Sequence, residues 1–579
     1  MKEWIVPPQN PDLVQRLSRA LKVSPVTSRI LVARGFDDPA ATSEFLEPTL
    51  NQLVDPCADP AVSGAVDHIG ETMGAGKRLA IFGDFDADGI CSTTLLLKCL
   101  SLAGGDVEFY IPHRCAEGYG LNAEALRELA SNDIDTVITV DCGVSAVEET
   151  RLARELGLEV IVTDHHEPGE HQADVDFVLN PKLPDCNLGF EKLCGAGVAF
   201  KLAWAIGQRL SPGTRVSDEF REFLLEAMSL VAIGTVADMV PLVGENRVLT
   251  KFGLKALAHS ATPGLQALKE AADVKDSPTS FDIGYRLAPR LNAVGRIGHA
   301  EVAVELLTTD DKARAEELAD HLDEENKRRR SIQRAAVAEA EERVEETVDL
   351  EETRCIVLSD EEWHRGVVGL VASRLAEKFW KPAFVFAVED GMASGSARSI
   401  PGFHLFNAVD RCSELLENYG GHEGAAGLTL RHERLEEFTD LINEIAAESI
   451  DESAVPTLEV DAEVELRELN TACVKELQVL APFGEGNRRP LLIARDVTLA
   501  GNPKLVGSRG NHLTFLAKQG KTAFRAIAFN GADWLEDLKK NNGQPFSVAF
   551  QPRIDTYNRY NSVELKIKDI RWDEQTNNS

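Results

Sequence analysis

The sequence predicts an α/β fold: a domain built on a parallel sheet, a long connecting helix, a second α/β lobe and a C-terminal β-barrel. Three observations predict it. Short apolar runs in the first part of the chain each open into a cluster of acids or histidines. The stretch 310–350 is densely charged and holds neither proline nor glycine, as a long helix requires. Beyond residue 457 the chain breaks into short alternating strands separated by turn residues, as in a barrel.

Taken in order, residues 1–55 read as an N-terminal segment of short helices ending near Pro56. Residues 56–305 hold the parallel sheet. There Arg78–Gly83 opens into Asp84-Phe85-Asp86-Ala87-Asp88-Gly89, Thr136–Val140 into Asp141-Cys142-Gly143, and Leu158–Thr163 into Asp164-His165-His166. Runs this short and this rich in Val and Ile fit strands buried on both faces. In such a sheet ligands bind outside the carboxyl ends of the strands, so the three clusters converge. At least five carboxylates and two imidazoles then meet, which their repulsion forbids unless cations lie among them. A calcium loop is not expected at 84–89, because the chain turns helical from Ile90 and Leu95 stands where such a loop needs Glu. Residues 306–350 form the connecting helix, whose Lys327-Arg328-Arg329-Arg330 run reads as a solvated face. Residues 351–450 are the second α/β lobe, Asp451–Pro456 a linker, and 457–579 the barrel.

Composition sets the frame. The 579 residues exceed one ordinary domain, and 44% hydrophobic content suffices for several cores. No signal peptide or long apolar span is evident, and the ten cysteines include no Cys-x-x-Cys pair, so we expect a cytoplasmic, reduced protein without membrane attachment. The net charge of −33 is the wrong sign for binding a polyanion. Its distribution answers part of that objection: Gly486–Arg571 holds 15 basic and 7 acidic residues, a net of +8, leaving −41 for the remainder. Aromatics interleave with these cations, as in grooves that track a backbone and stack bases. Phe515, Phe524, Phe529, Trp534, Phe546 and Phe550 read mostly as core, Tyr557 and Tyr560 as surface.

The motifs together resemble the DHH phosphoesterase superfamily. Its signature stands at Asp164-His165-His166, its earlier motifs at 84–89 and 141–143, and its fourth is similar to Gly234–Leu242. Pro289–Arg296, Ser394–Ser399, Gly420–Gly427 and Asp555–Tyr560 resemble the RecJ-type exonucleases within that superfamily, so the resemblance covers nearly the whole chain. It implies a barrel of the oligonucleotide-binding type and an enzyme that degrades single-stranded DNA from its 5′ end to 5′-mononucleotides, in repair and recombination. The metal ligands it implies are Asp86, Asp88, Asp141, His165 and Asp238, closely followed by Asp84 and His166, with Asp141 bridging two divalent cations. Mixed carboxylate and imidazole donors favour Mn²⁺, and Mg²⁺ also fits. Asp164 is expected to orient a histidine, and His166 to bind metal or a phosphoryl oxygen. The resemblance also implies a pocket for the terminal phosphate at Arg114, Arg296, Ser396 and Arg398, with His422 facing the cleft and Tyr557 and Arg559 contacting the strand. Gly295 is expected to let the backbone approach a phosphate. Expected partners are single-stranded DNA, a single-stranded-DNA-binding protein and a RecQ-type helicase, acting with a monomeric enzyme. Two other readings compete: a DHH phosphodiesterase of short oligonucleotides or cyclic dinucleotides, and a non-catalytic DNA-binding scaffold. The basic barrel weighs against the first and the complete ligand set against the second.

Overall fold

The structure is a computed structural model and describes residues 2–169, 171–211, 215–450, 455–555 and 562–572. Tyr557, Arg559 and Tyr560 lie outside the described residues. The chain forms two compact units, one of Leu53–Val240 with Leu249–Ala454, the other of Met1–Gln52, Pro241–Val248 and Val455–Ser579. No helix among the described residues is long and apolar enough to cross a membrane.

In the larger unit, five strands form one sheet: β1 (Leu79–Phe82), β2 (Val107–Tyr110), β3 (Thr136–Val140), β4 (Glu159–Thr163) and β5 (Phe177–Leu179). All pair in parallel, in the order β2-β1-β3-β4-β5. The three runs singled out in the sequence are thus β1, β3 and β4, the three central strands. Every residue of β1 and β3 is buried, which is why these runs carry no alternation. Three helices matter to the site: α1 (Ala87–Leu102), α2 (Gly195–Leu210) and α3 (Asp218–Ala237), which pack on one another. Helix α4 (Ala288–Ile297) follows, and then the 36-residue α5 (Lys312–Thr347).

The Lys327–Arg330 run of α5 is solvated as expected, Arg329 half-buried, while other faces of the helix are buried. Its first half buries Ala315, Leu318, Ala319, Leu322 and Asn326, a stripe at helical spacing that packs on α4 and its neighbours. Its second half buries Ala336, Ala340 and Val344 against Val368, Val371 and Leu375 of α6 (Val368–Phe379). One continuous helix therefore contributes to the cores of both lobes. The second lobe is a sheet of β6 (Ile356–Asp360), β7 (Ala383–Glu389), β8 (Met392–Arg398), β9 (Asn418–His422) and β10 (Ala425–Arg431) in the order β9-β10-β8-β7-β6. Gly420-Gly421-His422 lies in the edge strand β9.

In the smaller unit, β11 (Leu492–Val506), β12 (His512–Gln519), β13 (Thr522–Ala528), β14 (Phe546–Asp555) and β15 (Ser562–Trp572) run in the order β11-β12-β13-β15-β14. Pairing of β11 with β14 closes the barrel. Residues of the N-terminal helical segment share its core: Leu17, Val26, Ile30, Leu31 and Leu46 join Phe515, Phe546, Phe550 and Leu565 in one apolar cluster. Arg247 locks this arrangement. Its buried guanidinium donates to the carbonyls of Phe45, Val479, Leu480 and Ala481 and stacks 3.9 Å over the Phe45 ring. Three stretches distant in sequence are held by one cation because only a fork of several N–H donors can satisfy so many buried carbonyls.

Candidate metal centre

Asp84, Asp141 and Asp164 follow three neighbouring strands, so parallel pairing brings them to one edge. Asp141 sits at φ 63°, a left-handed conformation that Asp tolerates better than most residues and that turns its side chain out of the strand direction. Asp86 caps α1, accepting from Asp88 N at 2.9 Å and Gly89 N at 3.1 Å. Asp88 in turn accepts from the first amides of α2, Gly195 N at 2.6 Å and Ala196 N at 2.9 Å. Glycine is needed there: a Cβ on Gly195 would lie 2.6 Å from Asp141 Oδ1, and one on Gly234 of α3 would collide with Asp88. Asp238 caps the C-terminal end of α3.

These side chains form three overlapping groups whose ligand atoms lie within 4.8 Å of one another: Asp84, Asp86 and Asp141; Asp88, His165 and Asp238; Asp141, His165 and His166. His165 Nε2 lies 3.0 Å from Asp141, 3.6 Å from Asp238 and 3.9 Å from Asp88. A hydrogen bond to the Leu193 backbone holds its other nitrogen. Asp84 Oδ1, Asp141 Oδ1 and His165 Nε2 are buried without a hydrogen-bond partner. Buried oxygens and an imidazole left open toward one another are the donor set of a divalent cation, so the residues present fit the expected metals.

Asp164 is different. Its Oδ1 accepts from His165 N, His166 N and His166 Nδ1, and its Oδ2 from Val144 N. With its oxygens occupied it positions His166. The Tyr119 hydroxyl donates to Asp141 O at 2.9 Å and so accepts from His166 Nδ1 at 3.0 Å, which leaves Nε2 as the outward nitrogen of that ring. Burial opposes the charged form of His166, but Asp164, Asp238 and Asp84 outweigh it and hold the ring at about 9. Burial and the charge of His166 push His165 down to about 3, as a ligand that must stay neutral requires.

The acids report the crowding. Burial first, and Asp86 second, push Asp84 up to about 8 and Asp88 to about 6. Burial and Asp88 push Asp238 to about 8, and Asp141 is raised well above the carboxylate range. A free carboxyl titrates near 3.9, so between there and pH 8 the folded, metal-free chain binds more protons than the unfolded one and loses stability as pH rises. His165 acts in the opposite sense, only below about 6.5. We therefore expect the metal-free melting temperature to fall between pH 6.5 and 8, and the rise produced by Mn²⁺ to be larger at pH 8. Calorimetry in chelator and in Mn²⁺ checks this; a stabilisation by Mn²⁺ that shrinks with rising pH would contradict it.

The cleft beside the acids is lined by cations. Arg114 lies 4.7 Å over the Phe85 ring. Arg296 donates to Gly366 O across the lobes at 3.2 Å and is held at about 9 by burial, then by Arg114, Arg329 and Arg398. Ser396 and Arg398 come from β8, and Gly369 at the start of α6 leaves them room: a Cβ there would lie 3.3 Å from Ser396 Oγ. None of Arg114, Arg296 and Arg398 has a carboxylate ion-pair partner among the described residues. His422 joins them, lowered by burial and by Arg398, His166 and Lys182. Gly295 has a different reason from the one expected: it lets α4 close on Phe85 O, where any Cβ would collide, and Asn292 of the same helix accepts from Ala87 N at 2.7 Å.

Sequence reasoning missed four residues here. Asn292 lies inside the Pro289–Arg296 motif and Tyr119 between Gly118 and Gly120; polar groups set in a helix or flanked by glycines are the signal that could have found them. Arg329, hidden in a charged run, faces Arg296. Lys182, whose charge reaches His165, Asp238 and His422, carries no sequence signal; only β5 beside β4 places it there.

Comparison with known proteins bears on all three parts of the chain. The DHH family, N-terminal domain, matches residues 78–235, the DHHA1 domain 352–448 and the RecJ OB domain 460–569. The chain is 36% identical over 571 residues to the single-stranded-DNA-specific exonuclease RecJ of Bacillus subtilis, covering 98% of this chain and 70% of that one. It is 33% identical to the Escherichia coli protein of the same name, covering 95% and 96%. The crystal structure of RecJ in complex with Mn²⁺ from Thermus thermophilus superposes with a TM-score of 0.82 at 31% identity, over 99% of this chain and 80% of that one. The Mg²⁺ complex from the same organism gives 0.75 at 29%, over 99% and 79%.

Proposed function

This chain belongs to the RecJ family, and from that premise we propose how its own residues carry out the reaction. It is a metal-dependent exonuclease acting on single-stranded DNA. The observation that carries the proposal is the pair of acidic groups meeting at Asp141 and His165. Asp84, Asp86 and Asp141 would hold one divalent cation, and Asp88, His165 and Asp238 the other, with Asp141 between them. Mn²⁺ is favoured and Mg²⁺ serves. When bound, the cations supply the charge that lets these acids ionise together and the Lewis acidity for in-line attack by water at phosphorus.

The protein's part is placement. Asp164 and Tyr119 fix the His166 ring so that its outward Nε2–H donates to a phosphoryl oxygen. Arg114, Arg296, Ser396 and Arg398 clamp the 5′-terminal phosphate, and His422 closes the cleft from β9. The scissile bond then lies one nucleotide inside the 5′ end, and the products are 5′-mononucleotides. The barrel supplies affinity for the strand, with Tyr557 and Arg559 among its contacts. We divide the chain accordingly into an N-terminal segment, the metal-binding lobe, α5, the second lobe and the barrel. The ten cysteines are all free, which supports a reducing, cytoplasmic setting. Family likeness extends the reading to repair and recombination, to work beside a single-stranded-DNA-binding protein and a RecQ-type helicase, and to a monomeric enzyme.

Digestion of 5′- and 3′-labelled single strands, with and without Mn²⁺, tests the polarity. The 5′ label should appear at once as mononucleotide while the 3′-labelled strand shortens gradually, and a blunt duplex should resist. Release of the 3′ label first would overturn it.

A further inference from the structure

Positive charge continues past the residues assigned to the terminal phosphate. Arg329 of α5 acts on Arg296 together with Arg114 and Arg398. It is half-buried, donates to the amide oxygens of Asn326 at 3.0 Å and Gln333 at 3.2 Å, and its Nε is buried without a hydrogen-bond partner. On β8, Ser394, Ser396 and Arg398 alternate and so share one face of the sheet. Ser394 Oγ accepts from the exposed Arg365. The turn carrying Arg365 is wedged against the pocket: Gly366 O accepts from Arg296 at 3.2 Å, and a Cβ on Gly366 would collide with Arg296 O. A Cβ on Gly369 would lie 3.4 Å from Arg398 Nη2. Arg365 and Arg329 therefore border the same space as Arg296, Ser396 and Arg398.

The charge there exceeds what one phosphate can use. Like Arg114, Arg296 and Arg398, neither Arg329 nor Arg365 has a carboxylate ion-pair partner among the described residues. Asp86 opposes part of the repulsion at Arg296, but its charge belongs to the metal centre. A terminal monophosphate is at most a dianion, and Arg114, Arg296, Ser396 and Arg398 already offer a donor for each of its free oxygens. Arg329 and Arg365 are left over, held in place beside other cations with no anion to relieve them. Guanidinium forks and a serine hydroxyl are the donor set that phosphate oxygens recognise. A base or a sugar would leave their charge unmatched. A phosphate joined to the terminal one by an anhydride bridge extends away from the nucleoside and brings the missing charge. Because Arg365 is exposed, the row opens to solvent and does not block a longer end.

We propose that the pocket continues into a polyphosphate subsite, in which Arg365, Ser394 and Arg329 take the outer phosphates of a strand that bears a 5′-triphosphate. It rests on the reading of Arg114, Arg296, Ser396 and Arg398 as the clamp for the terminal phosphate. It widens the substrate class to the end carried by a chain begun from a free nucleoside triphosphate. The bond cut is unchanged: water attacks the first internucleotide phosphorus and the O3′–P bond breaks. The oxygen of that water stays on the new 5′-phosphate of the strand, and O3′ takes a proton. The anhydride bonds survive, so the first product is a nucleoside 5′-triphosphate. The test uses the full chain at subsaturating substrate, with free Mn²⁺ in excess, on strands of one sequence ending in 5′-triphosphate, 5′-monophosphate or 5′-hydroxyl. The triphosphate strand should be cut at least as fast as the monophosphate strand, with the nucleoside triphosphate identified by anion-exchange chromatography. Arg365→Gln, on an exposed turn, should slow the triphosphate strand about ten- to hundredfold relative to the monophosphate strand, and Arg329→Gln should do the same. A triphosphate strand cut more slowly than the monophosphate strand by the wild type, or a ratio that neither variant lowers, would overturn the subsite. A monophosphate strand cut no faster than the hydroxyl strand would strike the terminal-phosphate clamp instead, so the two failures are separable.

Discussion

Asp141→Asn is expected to abolish hydrolysis in Mn²⁺ while the chain stays folded and, without metal, melts at a higher temperature. The loss should be at least about a thousandfold, equivalent to about 4 kcal/mol of transition-state stabilisation, because the Asp84 and Asp86 group loses its third ligand and His165 loses the carboxylate 3.0 Å from its Nε2. Stability moves the other way: Asp141 is buried, its oxygen lacks a partner, and its charge is opposed by Asp88, Asp86, Asp84 and Asp238. Neutralising it removes that repulsion. Asparagine is the cleaner substitution, since it tolerates the left-handed backbone at φ 63° that alanine would strain. Parallel activity assays and thermal melts check both halves. More than a few per cent of wild-type activity would refute the two-metal assignment.

Arg398→Ala should slow cleavage of a 5′-phosphorylated strand about ten- to hundredfold, and that of a 5′-hydroxyl strand far less. The guanidinium has burial but no carboxylate ion-pair partner among the described residues, and it repels Arg114 across the cleft. A phosphate dianion would relieve both costs through a charge-assisted fork worth roughly 1.5–3 kcal/mol. Rates must be compared at subsaturating substrate, where end-binding energy enters kcat/KM. Equal slowing of the two strands would mean that Arg398 does not read the end.

Asp84, Asp141 and His165 were legible because each follows closely on a buried strand, and a parallel sheet delivers strand ends to one edge whatever surrounds it; Asp238, at the C-terminal end of α3, was reached through family likeness. The phosphate-pocket candidates Arg114, Ser396 and Arg398 were reached only through family likeness, since nothing local distinguishes them from ordinary surface residues. Phe529, among aromatics that read mostly as core, is 43% exposed because its ring lies just past the last paired residue of β13, where strand alternation stops constraining direction. In residues 1–55 helical periodicity marks an apolar face without naming what covers it, and here Phe546 and Leu565 of the sequence-distant barrel do.

By itself the sequence determined the element types, the parallel sheet, the acidic strand ends and hence a cation-binding centre, because strand period, burial and charge repulsion act over a few residues. Only the tertiary structure decided that Tyr119 and Asp164 share the His166 proton, that Gly295 admits Phe85 rather than a phosphate, that Lys182 reaches the site, and that α5 is core to both lobes. Each of these is a contact between residues far apart along the chain. No local periodicity encodes such meetings; they are fixed when the cores close and leave one arrangement in which the buried polar groups are satisfied.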